Sequence, residues 1–173
     1  TQWGDNGFFW ISYCDRSLTD TNCIKAVPSD SYSSVYQHDT LAMTASVTAD
    51  NEERNSAYMA NVFTADTDEA ITSVGLYTTD NNAEYEITVY TGLTDENSPV
   101  SGTPGVITKG TQKYAGYHTI KLDEAVRIKK GEKFSVVVKL TNPEHLYPIP
   151  VEARVILCEN KLSMNVSEIT DEK

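Results

Sequence analysis

Glu84-Tyr85-Glu86-Ile87-Thr88-Val89-Tyr90-Thr91 and Lys133-Phe134-Ser135-Val136-Val137-Val138-Lys139-Leu140-Thr141 are the two stretches that decide the fold. In the first, Tyr85, Ile87 and Val89 share one face while Glu84, Glu86 and Thr88 take the other. In the second, Phe134, Val136, Val138 and Leu140 stand opposite Ser135 and Lys139. Successive side chains of a strand point to opposite faces, so this alternation predicts strands with one buried and one wetted face, the habit of antiparallel sheets. Ile120 and Leu122 repeat the pattern opposite Thr119 and Lys121.

Working outward, short β-prone runs are predicted at 57–65, 71–79, 105–109, 113–122, 126–129 and 152–159. Turn residues punctuate them: Asp80-Asn81-Asn82, Asp95-Glu96-Asn97-Ser98-Pro99, Lys129-Lys130-Gly131 and Asn142-Pro143. About eight strands with no amphipathic helical pattern predict an all-β protein, an antiparallel β-sandwich of jelly-roll type. Residues 15–34 are rich in Ser, Thr and Asp around Pro28 and read as a linker. Residues 160–173 read as an acidic tail, expected to fray.

The 173 residues carry 14 Lys+Arg against 25 Asp+Glu, a formal charge of -11. That balance argues against nucleic acid, which needs a basic face, and against an anionic membrane surface. No apolar run approaches the ~20 residues needed to span a bilayer. Three cysteines, Cys14, Cys23 and Cys158, make neither a disulfide framework nor a zinc spacing; Cys14 and Cys23 are close enough to bridge or to remain free thiols.

Residues 1–14 hold both tryptophans, and within them Trp3-Gly4-Asp5-Asn6-Gly7-Phe8 resembles the closing segment of papain-family cysteine peptidases. In that family Trp-Gly-x-x-Gly-aromatic follows directly on Asn-Ser-Trp-Gly, whose Asn orients the catalytic His. The resemblance implies that residues 1–14 are a short N-terminal remnant of a peptidase domain, with the catalytic Cys, His and Asn upstream. Tyr36-Gln37-His38-Asp39, Tyr58–Ala65, Val74–Thr78, Ala115–Ile120, Gly131–Val138 and Tyr147–Glu152 are in turn similar to a lectin-like domain. Such a domain follows the peptidase domain in secreted or surface-anchored papain-like enzymes of anaerobic Gram-positive bacteria. This second resemblance covers 35–159. It implies an extracellular or cell-surface location, the cognate peptidase domain as partner, a cell-wall glycan as ligand and no required cofactor.

The residues themselves offer little catalysis. A papain-like site needs a thiolate activated by a histidine, and none of the three cysteines has a histidine in a recognisable motif. His118 alternates onto the side of Ile120 and Leu122 and is expected to pack in the core; His38 and His145 sit in turn-like contexts. The carboxylates cluster in loops, where solvated turn acids outnumber catalytic pairs. Calcium is the ion these loops would suit, since it takes six to eight hard oxygens. Asp66, Asp68, Glu69 and Asp80 are its candidate ligands, without EF-hand spacing. Sugar binding calls for aromatic platforms with polar neighbours. Tyr58, Tyr77, Tyr90, Tyr114, Tyr117 and Tyr147 are the candidates, Tyr85 being assigned to the core.

The expected function is a non-catalytic accessory domain that targets a peptidase to surface glycans or braces its catalytic domain. The alternatives are a purely structural domain that binds no sugar and an independent glycan-active enzyme.

Overall fold

The computed structural model describes residues 10–12, 14–15, 28, 31–38, 43–49 and 52–153, and the backbone of 154–158 and 161–165. The peptidase-like motif at Trp3–Phe8, Cys23, most of the expected linker, Asp39 and residues 166–173 lie outside them. The chain divides after Val35 into two units. In the first, Trp10 and Cys14 are exposed, Cys14 as a free thiol. The Asp15 N–H closes a turn on the Ser12 carbonyl at 3.0 Å, and the Ser31 N–H another on that of Pro28 at 3.1 Å.

All strands of the described residues belong to the second unit. They are β1 (Ala45–Val47), β2 (Ser56–Thr64), β3 (Glu69–Thr78), β4 (Ala83–Thr91), β5 (Thr103–Pro104), β6 (Thr108–Gln112), β7 (Gly116–Ile128), β8 (Lys133–Thr141), β9 (Ile149–Val151), β10 (Arg154–Cys158) and β11 (Lys161–Asn165). Their pairing is nested and antiparallel: β1 with β9, β2 with β8, β3 with β7, β4 with β6. Nesting of this kind arises when one long hairpin is wound over itself, so that successive pairs fall alternately into two layers. Accordingly β2, β8, β4 and β6 form one sheet, which β5 joins along β4, while β3 and β7 form a second ribbon. That is a jelly-roll sandwich, with a β10–β11 hairpin appended.

The core lies between the layers. Ile87, Val89, Phe134, Val138 and Leu140 from the larger sheet join Val74, Leu76, Ile120, Leu122 and Ile128 from the ribbon in one cluster. Ile87, Val89, Ile120, Leu122, Phe134, Val138 and Leu140 are inward positions that the period-2 reading assigns. Ile87 and Leu140 are wholly buried; burial of such a side chain stabilises by roughly 1.5–3 kcal/mol relative to leaving it exposed.

Several elements differ from expectation, and β1, β5 and β9 fall where no strand is predicted. The strands predicted at 113–122 and 126–129 are one, β7. Its register passes from Ile71↔Val126 to Ser73↔Lys121, so residues 122–125 bulge past Thr72. The polar pair Asp123-Glu124 occupies that bulge. The strand predicted at 105–109 is displaced to β6, in register Ile87↔Thr108 to Ala83↔Gln112. Pro104 ends β5 without an N–H to donate, and beyond it the Gly105 N–H bonds the Val89 carbonyl at 2.8 Å before Val106 and Ile107 turn to solvent. In the expected tail, Lys161–Asn165 pairs with Arg154–Cys158.

Candidate functional site

The nested register sends the ends of β3, β6 and β8 and the starts of β2, β4 and β7 to the same end of the sandwich. Loops 52–55, 79–82, 113–115 and 142–148 therefore converge there, while 65–68, 92–102 and 129–132 lie at the other end.

A polar network fixes the first end. Asp80 accepts the backbone N–H groups of Asn81 at 2.8 Å, Glu144 at 3.1 Å and His145 at 2.9 Å. These bonds, His145's above all, hold its carboxyl below the ordinary carboxylate range, outweighing a desolvation that works the other way. Asn142 is fully buried and donates from Nδ2 to Thr79 Oγ1 at 2.8 Å and to the His145 carbonyl at 3.1 Å. Thr79 passes its own hydroxyl proton to the Tyr147 carbonyl at 3.0 Å. Asn55 Nδ2 donates to the Asn142 carbonyl at 2.8 Å, and the Ala115 N–H bonds Asn81 Oδ1 at 3.0 Å. All four loops are thus tied by side-chain hydrogen bonds that need no ligand.

On this scaffold stand four of the six candidate tyrosines. Tyr77 and Tyr117 face each other in register across β3 and β7, ring centroids 5.0 Å apart. Tyr117 is 59% exposed, and its hydroxyl end lies over Gly75, where a Cβ would collide with it. Glycine in a strand interior weakens it unless something must approach closely; here it lets an aromatic ring lean along the sheet surface. Tyr114 is exposed, its carbonyl accepting from Thr78 Oγ1 at 3.3 Å and meeting His118 Nε2 at 2.9 Å. His118 shares the face of Ile120 but is only half-buried at the mouth of the sandwich, short of the packed core position expected of it. Tyr147 is flanked by Arg54, 5.6 Å from its ring centroid, and by the His145 ring at 5.6 Å.

The remaining two candidates are apart from this group. Tyr58 stands on the outer face of the larger sheet, with Lys139 Nζ 5.7 Å from its ring centroid. Next across that sheet, Glu86 pairs with Lys109 at 2.8 Å, which lowers the Glu86 carboxyl, in a shallow depression of about 280 Å³. Tyr90 is half-buried, opposite Ser135 and Pro104 near the other end. Tyr85 packs against the core as expected, over Gly110.

The four acidic candidates do not share a site. Asp80 and the Asp66–Glu69 loop sit at opposite ends of β3, roughly 30 Å apart for a ten-residue strand. Asp68 accepts the Lys130 N–H at 2.8 Å, and Glu69 accepts the Tyr36 hydroxyl. No three His, Cys, Asp or Glu side chains gather as a metal cage among the described residues.

Sequence reasoning missed Gly75, Arg54, His145 and Asn142. Gly75 alone left a local signal, a glycine inside a run otherwise suited to a strand. The other three lie in loops whose convergence depends on the nested pairing.

Fold and rim together describe a small all-β domain of the kind that presents loops and aromatic side chains at one end of a sandwich. The chain belongs to the lectin-like domain family, whose model matches residues 35–168. Among solved structures it is similar to the clostridial cysteine protease Cwp84 after propeptide cleavage, at 22% identity and a TM-score of 0.45 over 75% of this chain and 34% of that one. It is similar also to a structure of the cysteine protease and lectin-like domains of Cwp84, a surface-layer-associated protein of Clostridium difficile. There the identity is 24% and the TM-score 0.39, over 64% of this chain and 28% of that one. The chain spans about a third of the length of these relatives. No curated protein matches it. No helix among the described residues is long and apolar enough to cross a membrane.

Proposed function

We propose that this domain is a non-catalytic, glycan-binding accessory module of an extracellular papain-like cysteine peptidase, with the Tyr77–Tyr117 pair as its sugar platform. The observation that carries the reading is the exposed Tyr117 ring leaning over Gly75 beside Tyr77, on a rim already held rigid by Asp80 and Asn142. A pyranose stacks its C–H face on such a ring while its hydroxyls meet polar neighbours, and a pre-ordered rim spares the ordering cost of binding. Membership of the lectin-like family supports the sugar, and the Trp3–Phe8 motif supports the peptidase context.

Calorimetric titration with cell-wall polysaccharide fragments tests it. Tyr117→Ala should weaken binding about tenfold, the worth of one stacked aromatic. Equal affinity in wild type and variant would remove the platform.

A further inference from the structure

Resting on the glycan reading of this rim, we infer that the ligand carries an oxyanion, a carboxylate or a phosphate, and that Arg54 receives it. Arg54 is exposed and follows Glu52 and Glu53 in sequence, in a chain with 25 acidic residues. Among the described residues it has no carboxylate partner, a condition it shares with Lys113, Lys121 and Arg127, the ion pairs there being Lys109–Glu86 and Lys133–Glu96. Its guanidinium is turned instead to Tyr147, 5.6 Å from the ring centroid, with Nη2 donating to the phenolic oxygen at 3.4 Å.

A guanidinium presents five N–H donors in a planar fork matched to carboxylate and phosphate oxygens. One is aimed at Tyr147, and the others are left for a ligand. Tyr147 is 41% exposed, so its ring can seat the sugar that bears the oxyanion. His145 walls the same ring at 5.6 Å, its Nε2 lying 3.4 Å from Ser46 Oγ. The backbone at Tyr147 is anchored by the Thr79 hydroxyl, which donates to its carbonyl. A formal charge of -11 repels anions at long range, so any preference for an anionic sugar must come from a local contact of this kind.

The experiment titrates the full chain calorimetrically with three probes: trigalacturonate, a glycerol-phosphate trimer and neutral galactotriose. One of the anionic trimers should bind about tenfold more tightly than galactotriose, the usual scale of a charge-assisted bidentate contact near the surface. Arg54→Gln should erase that preference with an unchanged melting temperature, and Arg54→Lys, which keeps the charge but loses the fork, should retain only part of it. Whichever anionic trimer binds more tightly identifies the oxyanion as uronate or phosphate. The inference is overturned if Arg54→Gln binds the anionic trimers as wild type does, if wild type prefers galactotriose, or if no trimer binds. Galactotriose binding that falls in Tyr117→Ala but ignores Arg54 would keep the platform and sink the oxyanion site. Anionic binding lost in Arg54→Gln but intact in Tyr117→Ala would do the reverse.

Discussion

Asp80 and His145, 65 residues apart in sequence, are joined by a 2.9 Å hydrogen bond from the His145 backbone N–H to the Asp80 carboxylate. With the bonds from Asn81 and Glu144 it pins the β8–β9 loop to the β3–β4 turn. Because the folded-state pKa of Asp80 is depressed, chiefly by the His145 bond, its contribution is fully present above the unfolded carboxylate value. It is lost as pH falls through the lower folded value. Asp80→Ala should destabilise by about 1–2 kcal/mol at pH 7, and the difference from wild type should shrink toward pH 3. Chemical denaturation at the two pH values measures it; a gap independent of pH would mean that the carboxylate charge is not what holds the loop.

The opposite end carries an alkaline counterpart. Tyr36 meets Phe134 and Phe63 with ring centroids at 5.3 and 5.9 Å, donates its hydroxyl proton to Glu69 and accepts the Asp66 N–H at 2.9 Å. Burial first, then the bond to Glu69, raises its pKa above the usual phenol value. A raised folded pKa contributes stability that is present below the unfolded value near 10 and lost as pH climbs through the folded one. Tyr36→Phe should therefore cost about 1 kcal/mol at neutral pH and unfold less steeply than wild type above pH 10. Parallel alkaline denaturation curves for the two proteins would refute this.

Two glycines lie under two tyrosine rings with different freedom. A Cβ at Gly75 would meet the exposed Tyr117, whose ring can swing into solvent; one at Gly110 would meet Tyr85, which is packed against the core. Gly75→Ala should leave the melting temperature almost unchanged while disturbing the sugar platform proposed at Tyr77 and Tyr117. Gly110→Ala should cost about 1–3 kcal/mol through overpacking, with binding at the rim intact. Equal destabilisation by both substitutions would contradict this assignment of the two rings.

The inward faces of β4 and β8 were legible because alternation is a local property: Ile87, Val89, Phe134, Val138 and Leu140 are all buried or nearly so. β7 was read as two strands, 113–122 and 126–129, and only the partner strand shows that the polar residues between them sit in a bulge. For the candidate site, tyrosines at 77, 114, 117 and 147 could be named from sequence as candidates, but nothing local marks which of them meet. Their convergence follows from long-range pairs such as Ser56↔Thr141 and Thr78↔Gly116, and so does the separation of Asp80 from Asp66–Glu69. Arg54 and Asn142 are ordinary loop residues until those pairs bring their loops together.

Asn142 gives the most demanding test of this convergence. Its side chain is 1% exposed and spends both Nδ2 protons, on Thr79 Oγ1 and the His145 carbonyl, while Oδ1 has no hydrogen-bond partner among the described residues. An orphan buried acceptor is itself unfavourable, so the two donated bonds must outweigh it. Asn142→Ala removes the donors and leaves their acceptors unserved, for an expected loss of roughly 2–3 kcal/mol. Asn142→Asp is more informative because it nearly preserves shape. At pH 7 the new carboxylate would be buried facing a carbonyl and a hydroxyl, with neither donated bond possible, and should cost more than alanine does. Burial raises the folded pKa of the introduced acid, so the destabilisation is greatest above that value and eases as pH falls and the protonated acid donates one bond. Stability of this variant should therefore rise from pH 7 to pH 4.5, opposite to the effect of losing the Asp80 bonds on acidification. Urea denaturation at the two pH values, beside wild type, decides it: a variant no less stable than Asn142→Ala at pH 7 would mean that the amide protons do not tie these loops together.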